Sequence, residues 1–235
     1  KDDVAGLSIA NKFRLEVRGL RMAQQNVSQA STMLQVAEGG TNQIESIVER
    51  LKELATLAAS DNTDSDGRAR LNAEATELIS EIDRIANDTK YSGTALLNAA
   101  LDLTFQIGSG NVSDEDQINV TTSGGLLATD LGLDGIDLTD LSGAQDALDS
   151  IDSALTTVNT VLGEIGAAQS RLDYASANLA VSVENLSASE STIRDVDMAF
   201  EMINFTRNQI LMQAGTAMLA QANLIPQNVL ALLGR

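Results

Sequence analysis

Acidic side chains are the groups in this chain whose number and spacing could support chemistry. Twelve aspartates and glutamates lie between Asp102 and Glu164, and no lysine or arginine occurs from Tyr91 to Ser170. Aspartates near glycines can form calcium loops, but this spacing does not match the EF-hand and lacks its closing bidentate glutamate. A solvated acidic surface is therefore the favoured interpretation, with a cation or glycan site at residues 108–140 as the alternative.

Other catalytic groups are scarce in the sequence. The chain has no histidine and no cysteine, which removes the commonest general base, thiolate nucleophiles and cysteine-bound zinc. Glu49 and Glu53 are four residues apart, but Arg50 and Lys52 lie beside them, so local ion pairing is the simpler interpretation. We find no phosphate-binding loop, nucleophile elbow or dinucleotide motif. We therefore predict a protein that is not an enzyme and that holds no metal or cofactor.

The composition narrows the possible partners. A net charge of −18 argues against binding to nucleic acid or to an anionic membrane surface. No run of 18 apolar residues predicts a membrane span. Aromatic residues make up 3% of the chain, so any core must be built from aliphatic side chains.

Three segments without proline carry apolar residues every seven positions, at about 4–59, 64–88 and 143–194. Such stripes predict long, coiled-coil-like helices that pack along one another. Gly39–Gly40 falls inside the first stripe and predicts a weak point in one continuous helix. The expected buried row of the third segment is Ile151, Val158, Ile165, Leu172, Leu179, Leu186 and Ile193, with a second row three residues earlier that begins Leu148, Leu155 and Leu162.

A β-hairpin is predicted at about 101–121, because LDLTFQI (101–107) and QINVT (117–121) alternate and are rich in strand formers. The last segment, Met198–Arg235, is apolar around much of a helix and carries three charged residues, so it must be covered by another surface. Asn223–Pro226 is expected to interrupt this helix. The predicted fold is mainly α: an elongated bundle of three long helices with a small β-hairpin and a C-terminal apolar helical tail.

Several stretches resemble the bacterial flagellin family. The resemblance covers nearly all of the chain outside about residues 108–145, and its C-terminal part is highly specific. The matching stretches are KDDVAGLSIANKFR (1–14), SIVERLKELATLAAS (46–60), EIDRIANDTKYSGTALL (81–97), NLSASESTIRDVDMA (185–199) and QAGTAMLAQANLIPQNVLALLGR (213–235).

This resemblance implies a self-assembling subunit of the flagellar filament, which serves motility and is exported from the cytoplasm by the flagellar type III apparatus. It implies a rod domain at 1–197 and the C-terminal half of a terminal domain at 198–235. Compared with the family, we expect the chain to be N-terminally truncated before Lys1 and to lack variable outer domains. Two alternatives stay open: a hook–filament junction protein of the same superfamily, and a cell-surface ligand-binding homologue of flagellin.

The resemblance also implies partners and sites. The partners are other flagellin subunits, an export chaperone, a flagellin-binding assembly regulator and the host Toll-like receptor 5. By similarity, the receptor would recognise Arg50, Leu54 and Glu74 on the rod. The residues expected to bind the chaperone and to form the filament core are Ile203, Ile210, Leu211, Met218, Leu219, Leu224, Ile225, Val229, Leu230 and Leu233.

Overall fold

The structure is a computed structural model that describes the backbone of residues 4–233 and the side chains of residues 4–222 except Asp114. The chain divides into two compact units, residues 12–187 and residues 1–11 with 188–235. The predicted functional boundary between residues 197 and 198 stays a prediction. The helices and strands of the described chain are α1 (Val4–Ala58), α2 (Ser65–Asp88), β1 (Lys90–Tyr91), β2 (Thr94–Ala95), β3 (Asp102–Gln106), α3 (Ser113–Asp116), β4 (Gln117–Thr121), α4 (Leu141–Arg194) and α5 (Met198–Leu233). The mainly α fold with long helices, a hairpin and an apolar C-terminal helix is thus confirmed.

Helix α1 lies antiparallel to α4 in the centre of the unit 12–187. Gln169 Nε2 donates a hydrogen bond to Glu38 Oε2 at 2.8 Å, and Lys52 Nζ pairs with Asp152 Oδ1 further along. Two rows of α1 with seven-residue spacing are buried between Ala23 and Ala58, as expected for a helix with an apolar stripe. The rows are Ala23, Ala30, Ala37, Ile44, Leu51 and Ala58, and Val27, Leu34, Thr41, Val48 and Ala55. The polar member, Thr41, donates its hydroxyl to the carbonyl oxygen of Ala37 at 2.9 Å, so its burial leaves no unpaired group there.

The apolar stripe of α4 differs from the sequence prediction in its second row. The first row is buried from Ile151 to Leu179, whereas Ile193 at its end is exposed. The predicted second row is wrong, because its leucines are only partly buried and the buried row lies one position earlier. That buried row consists of Ala147, Ala154, Val161 and Ala168. Its three alanines allow the neighbouring helix to approach closely, and the larger leucines flank this contact.

The two glycines of α1 lie in different surroundings. Helix α1 is continuous through both of them. A Cβ atom added to Gly39 would meet open space. A Cβ atom added to Gly40 would lie 2.7 Å from Leu97 Cδ1 and 2.7 Å from Thr89 Oγ1. Gly40 therefore marks the place where the turn after α2 packs directly on the α1 backbone.

Two hairpins follow α2. In the first, Lys90 pairs with Ala95 around a tight turn in which Ser92 has φ 50° and Gly93 has φ 87°; both positive values are typical of a type I′ turn. The two short strands of this hairpin were not predicted from the sequence. The second hairpin is the predicted one, and its register runs from Asp102 opposite Thr121 to Gln106 opposite Gln117.

The connection from β4 to α4, residues 122–140, is part of the core. Its buried apolar residues are Leu126, Ala128, Leu131, Leu133 and Leu138. Side chains of other elements hold its backbone: Ala128 N donates to Asp83 Oδ1 at 2.8 Å and Leu138 N donates to Asn72 Oδ1 at 2.9 Å. This acidic stretch therefore contributes to the hydrophobic core, and its backbone is hydrogen-bonded to α2.

Helix α5 is longer than the sequence predicted. The break expected at Asn223–Pro226 is wrong, because the helical backbone continues to Leu233. A proline inside a helix removes one backbone hydrogen bond at a cost of roughly 3 kcal/mol, but its fixed φ is itself compatible with a helix.

Candidate assembly and recognition surfaces

Some of the acidic residues of 102–164 accept hydrogen bonds from backbone N–H groups. Asp140 Oδ1 accepts a hydrogen bond from Gly143 N at 2.6 Å where α4 begins, and Asp116 accepts from Gly110 N at 3.2 Å. Hydrogen bonds from the hydroxyl and the amide of Thr139 lower the pKa of Asp137. Within the described residues, no three acidic side chains are grouped so that they could hold a metal ion. A solvated and structural role fits this stretch better than a cation site.

Arg50 and Glu74 come together across the contact between α1 and α2. Arg50 Nη2 and Nε donate to Glu74 Oε1 at 2.9 and 3.1 Å, and Arg50 Nη1 donates to Glu53 Oε2 at 2.6 Å. The hydrogen bond to Glu53, followed by that to Glu74, raises the pKa of the guanidinium. All three side chains are about half exposed, so the cluster is accessible to a partner.

Leu54, the third residue predicted to contact a receptor, does not lie on this surface. Its side chain is 1% exposed and packs in the core. Its spacing explains this, because Leu54 is three residues after buried Leu51 and four before buried Ala58. The sequence interpretation overlooked Leu57, which is 53% exposed and follows Arg50 by seven residues on the same helix face.

Helix α5 carries a long apolar surface. The predicted tail residues with described side chains are each 58–71% exposed: Ile203, Ile210, Leu211, Met218 and Leu219. A groove of about 500 Å³ is lined by Met202, Ile203, Thr206, Arg207, Ile210 and Leu211. The other predicted tail residues lie outside the described side chains: Leu224, Ile225, Val229, Leu230 and Leu233. So many exposed large apolar side chains indicate a surface that is covered by a partner.

The start of α1, which belongs to the same unit as α5, is also apolar on its exposed side. Val4, Leu7 and Ile9 are all exposed there. The described helices include none that is both long and apolar enough to cross a membrane. The exposed apolar side chains of α5 and of the start of α1 favour protein–protein contacts as the role of this unit.

Comparison with known proteins identifies the family of this chain. The family model for the bacterial flagellin N-terminal helical region matches residues 1–101, and that for the C-terminal helical region matches residues 148–233. A flagellin of Halalkalibacterium halodurans is 42% identical over 235 residues, which cover 99% of this chain and 85% of that protein. The chain belongs to the bacterial flagellin family.

Two further relatives support the assignment of this chain to the flagellin family. The flagellar filament 33 kDa core protein of Treponema phagedenis is 36% identical and covers 99% of this chain and 86% of its own length. A flagellin of Bacillus subtilis is also 36% identical, with the same coverage.

Solved structures show a similar fold. The crystal structure of Bacillus cereus flagellin has a TM-score of 0.56 at 24% identity and covers 66% of this chain and 88% of that one. A putative flagellar hook-associated protein from Vibrio parahaemolyticus has a TM-score of 0.65 at 13% identity and covers 83% of this chain and 99% of that one. At these identities the two structures support the fold alone.

Proposed function

We propose that this flagellin is a structural subunit of the flagellar filament, exported from the cytoplasm and assembled outside the cell for motility. The observation that carries the proposal is the exposed apolar surface of α5. Its large apolar side chains, among them Ile203, Leu211 and Met218, are exposed, so they are available to other subunits. Its partners are other copies of the chain, an export chaperone and a flagellin-binding assembly regulator.

Electron microscopy of the source bacterium tests this function directly. Deleting the gene is expected to remove filaments and swimming, and restoring the intact gene is expected to return both. Filaments that persist unchanged in the deletion strain, with no second flagellin gene to supply them, would contradict the proposal.

Before assembly, no neighbouring subunit covers the apolar surface of α5. We therefore propose that an export chaperone binds this surface in the cytoplasm. From Met198 to Arg235 the charged residues are Glu201, Arg207 and Arg235, so little charge keeps this segment soluble. Ile203, Ile210 and Leu211 line the groove along α5, and amphipathic helices can bind such apolar surfaces. We therefore assign the chaperone site to residues 198–235.

Calorimetry with the cognate chaperone checks this assignment. The full chain is expected to bind with an affinity at least about a hundredfold higher than a chain ending at Asp197, because the large apolar anchors carry most of the binding energy. The intact unit 12–187 in the shortened chain serves as the control, and its helical circular dichroism should be retained. Equal affinity of the two chains would refute the site.

The Arg50–Glu74 cluster is the proposed contact for Toll-like receptor 5. Both side chains are accessible, they lie on neighbouring helices and they form a charged pair of fixed geometry. A surface ion pair of this kind contributes only about 0–1 kcal/mol to stability, so replacing it should leave the rod folded. Leu54 has no accessible surface to offer this receptor, as shown above.

Replacing Arg50 and Glu74 together by alanine is expected to reduce receptor signalling at least about tenfold, since buried arginines are frequent hot spots in interfaces. A receptor reporter assay on purified protein measures the change. The matched control is Glu81→Ala with Arg84→Ala, which removes an ion pair of similar exposure elsewhere on α2. Unchanged potency of the first variant, or an equal loss in the control, would rule out this contact.

A further inference from the structure

Positive charge in this acidic chain is concentrated near the start of α1. Residues 12–21 contain four cations (Lys12, Arg14, Arg18 and Arg21) and one acid (Glu16), a net charge of +3. Residues 130–149 contain six aspartates and no cation, a net charge of −6. These two segments have no part in the chaperone and receptor sites proposed above.

The basic segment presents an unpartnered helix face. Arg18 and Arg21 are exposed, and neither forms an ion pair or a side-chain hydrogen bond with another described residue. Leu15 and Met22 lie on the same face, at three residues before and four residues after Arg18, and are 65% and 56% exposed. Two arginines between two exposed apolar side chains make a surface suited to an acidic protein partner, because arginine binds carboxylates through two parallel hydrogen bonds.

The acidic surface faces solvent at the start of α4. Asp146 and Asp149 are exposed and three residues apart, so they share one side of the helix. Asp134 in the preceding connection is also exposed. Unlike Asp137 and Asp140, none of these three carboxylates accepts a hydrogen bond from a described residue in the structure.

The two surfaces are too far apart to meet within one chain. Lys52 pairs with Asp152 between the antiparallel helices, so Asp146 lies level with about residue 58 of α1. Arg18 is about 40 residues from that level, which at 1.5 Å per residue is about 60 Å. That separation is several times the screening length of about 8 Å at physiological salt. The basic and acidic surfaces therefore lie towards opposite ends of the bundle in the unit 12–187.

We propose that a second copy of this chain occupies the α1 face formed by Leu15, Arg18, Arg21 and Met22, and that it binds there through its own Asp134, Asp146 and Asp149. The basic segment 12–21 and the acidic segment 130–149 have complementary charges, which favours a second copy of the chain as the partner. A contact between two different surfaces of the same chain is heterologous, and its repetition gives an open polymer when the rotation between successive copies does not close a ring. The inference rests on the proposed filament function and specifies a head-to-tail contact within it.

Charge reversal in the source bacterium tests the contact. Arg18→Glu with Arg21→Glu is expected to reduce filament mass at least about tenfold, because it places like charges opposite one another. Asp146→Arg with Asp149→Arg should reduce it similarly, and all four changes in one chain should restore assembly. The control Arg70→Glu with Lys90→Glu makes the same change in net charge at exposed positions elsewhere and should assemble normally. Urea unfolding of each variant shows whether the fold is retained.

Disulfide trapping in filaments provides a second readout, since this chain has no cysteine. Arg18→Cys copies mixed with Asp146→Cys copies should form cross-linked dimers on oxidation, whereas neither variant alone should do so. Normal filaments from both reversed variants, failure of the four-change chain to recover, or absence of the mixed cross-link would overturn the head-to-tail contact. Absence of filaments from the unmodified gene would instead overturn the proposed function.

Discussion

Filament assembly is expected to be abolished when Ile203, Ile210 and Leu211 of α5 are all replaced by glutamate. The free subunit should tolerate these changes, because each of the three side chains is at least 58% exposed in it. In the filament the same positions would be buried between subunits, where an unpaired charge costs several kcal/mol. Electron microscopy of cells that carry the variant measures the loss.

The matched control places three glutamates on the same helix at exposed polar positions, Asn208, Gln209 and Gln213. It has the same net charge as the first variant but keeps the apolar side chains. We expect it to retain more filaments than the apolar replacement. Normal filaments from the variant with glutamate at Ile203, Ile210 and Leu211 would show that this surface is not buried on assembly.

Gly40→Ala is expected to lower the free energy of unfolding by about 1–2 kcal/mol, although alanine favours a helix over glycine by roughly 1 kcal/mol. The added methyl group would overlap Thr89 and Leu97. Neither can move easily: Thr89 Oγ1 donates a hydrogen bond to the carbonyl oxygen of Ile85 at 2.7 Å, and Leu97 is buried. Urea unfolding followed by circular dichroism gives the difference.

The neighbouring glycine supplies the control. Gly39 has open space where its Cβ atom would be added, so Gly39→Ala should raise the free energy of unfolding by up to about 1 kcal/mol. Opposite signs at two adjacent positions separate the packing effect from helix propensity. Stabilisation by both substitutions would contradict the close packing described at Gly40.

The long helices could be predicted from the sequence because their patterns repeat over many turns. In α1 both rows are apolar at alternating spacings of three and four, which leaves one face to bury. In α4 the choice between the row of Leu148 and the row of Ala147 depended on how closely α1 approaches. Sequence hydrophobicity favoured the leucines, whereas the packing favours the smaller side chain.

Tertiary contacts explain the remaining differences. The surroundings of Gly40 depend on Thr89 and Leu97, about 50 residues away, and no local pattern encodes that contact. The core role of residues 122–140 depends on acceptors from α2, such as Asn72 and Asp83. An acidic, glycine-containing stretch without a regular apolar pattern gives little sign of such partners.

The candidate surfaces were predictable to different degrees. The apolar character of α5 follows from composition alone, because a helix with so few charges must be covered. The pairing of Arg50 with Glu74 required the placement of α2 beside α1, which the family resemblance supplied. Leu54 could have been recognised as buried from its spacing to Leu51 and Ala58, and Leu57 as the exposed leucine of that turn.

The central claim is that α5 is exposed in the free subunit and buried between subunits in the filament. Because this chain has no cysteine, a thiol introduced by Ile210→Cys can be labelled selectively in both states. The account predicts rapid labelling of the unassembled subunit, labelling slowed at least about tenfold in intact filaments, as expected for a fully packed interface, and full labelling once the filaments are dissociated. Equally rapid labelling of Cys at this position in intact filaments and in free subunits would contradict it.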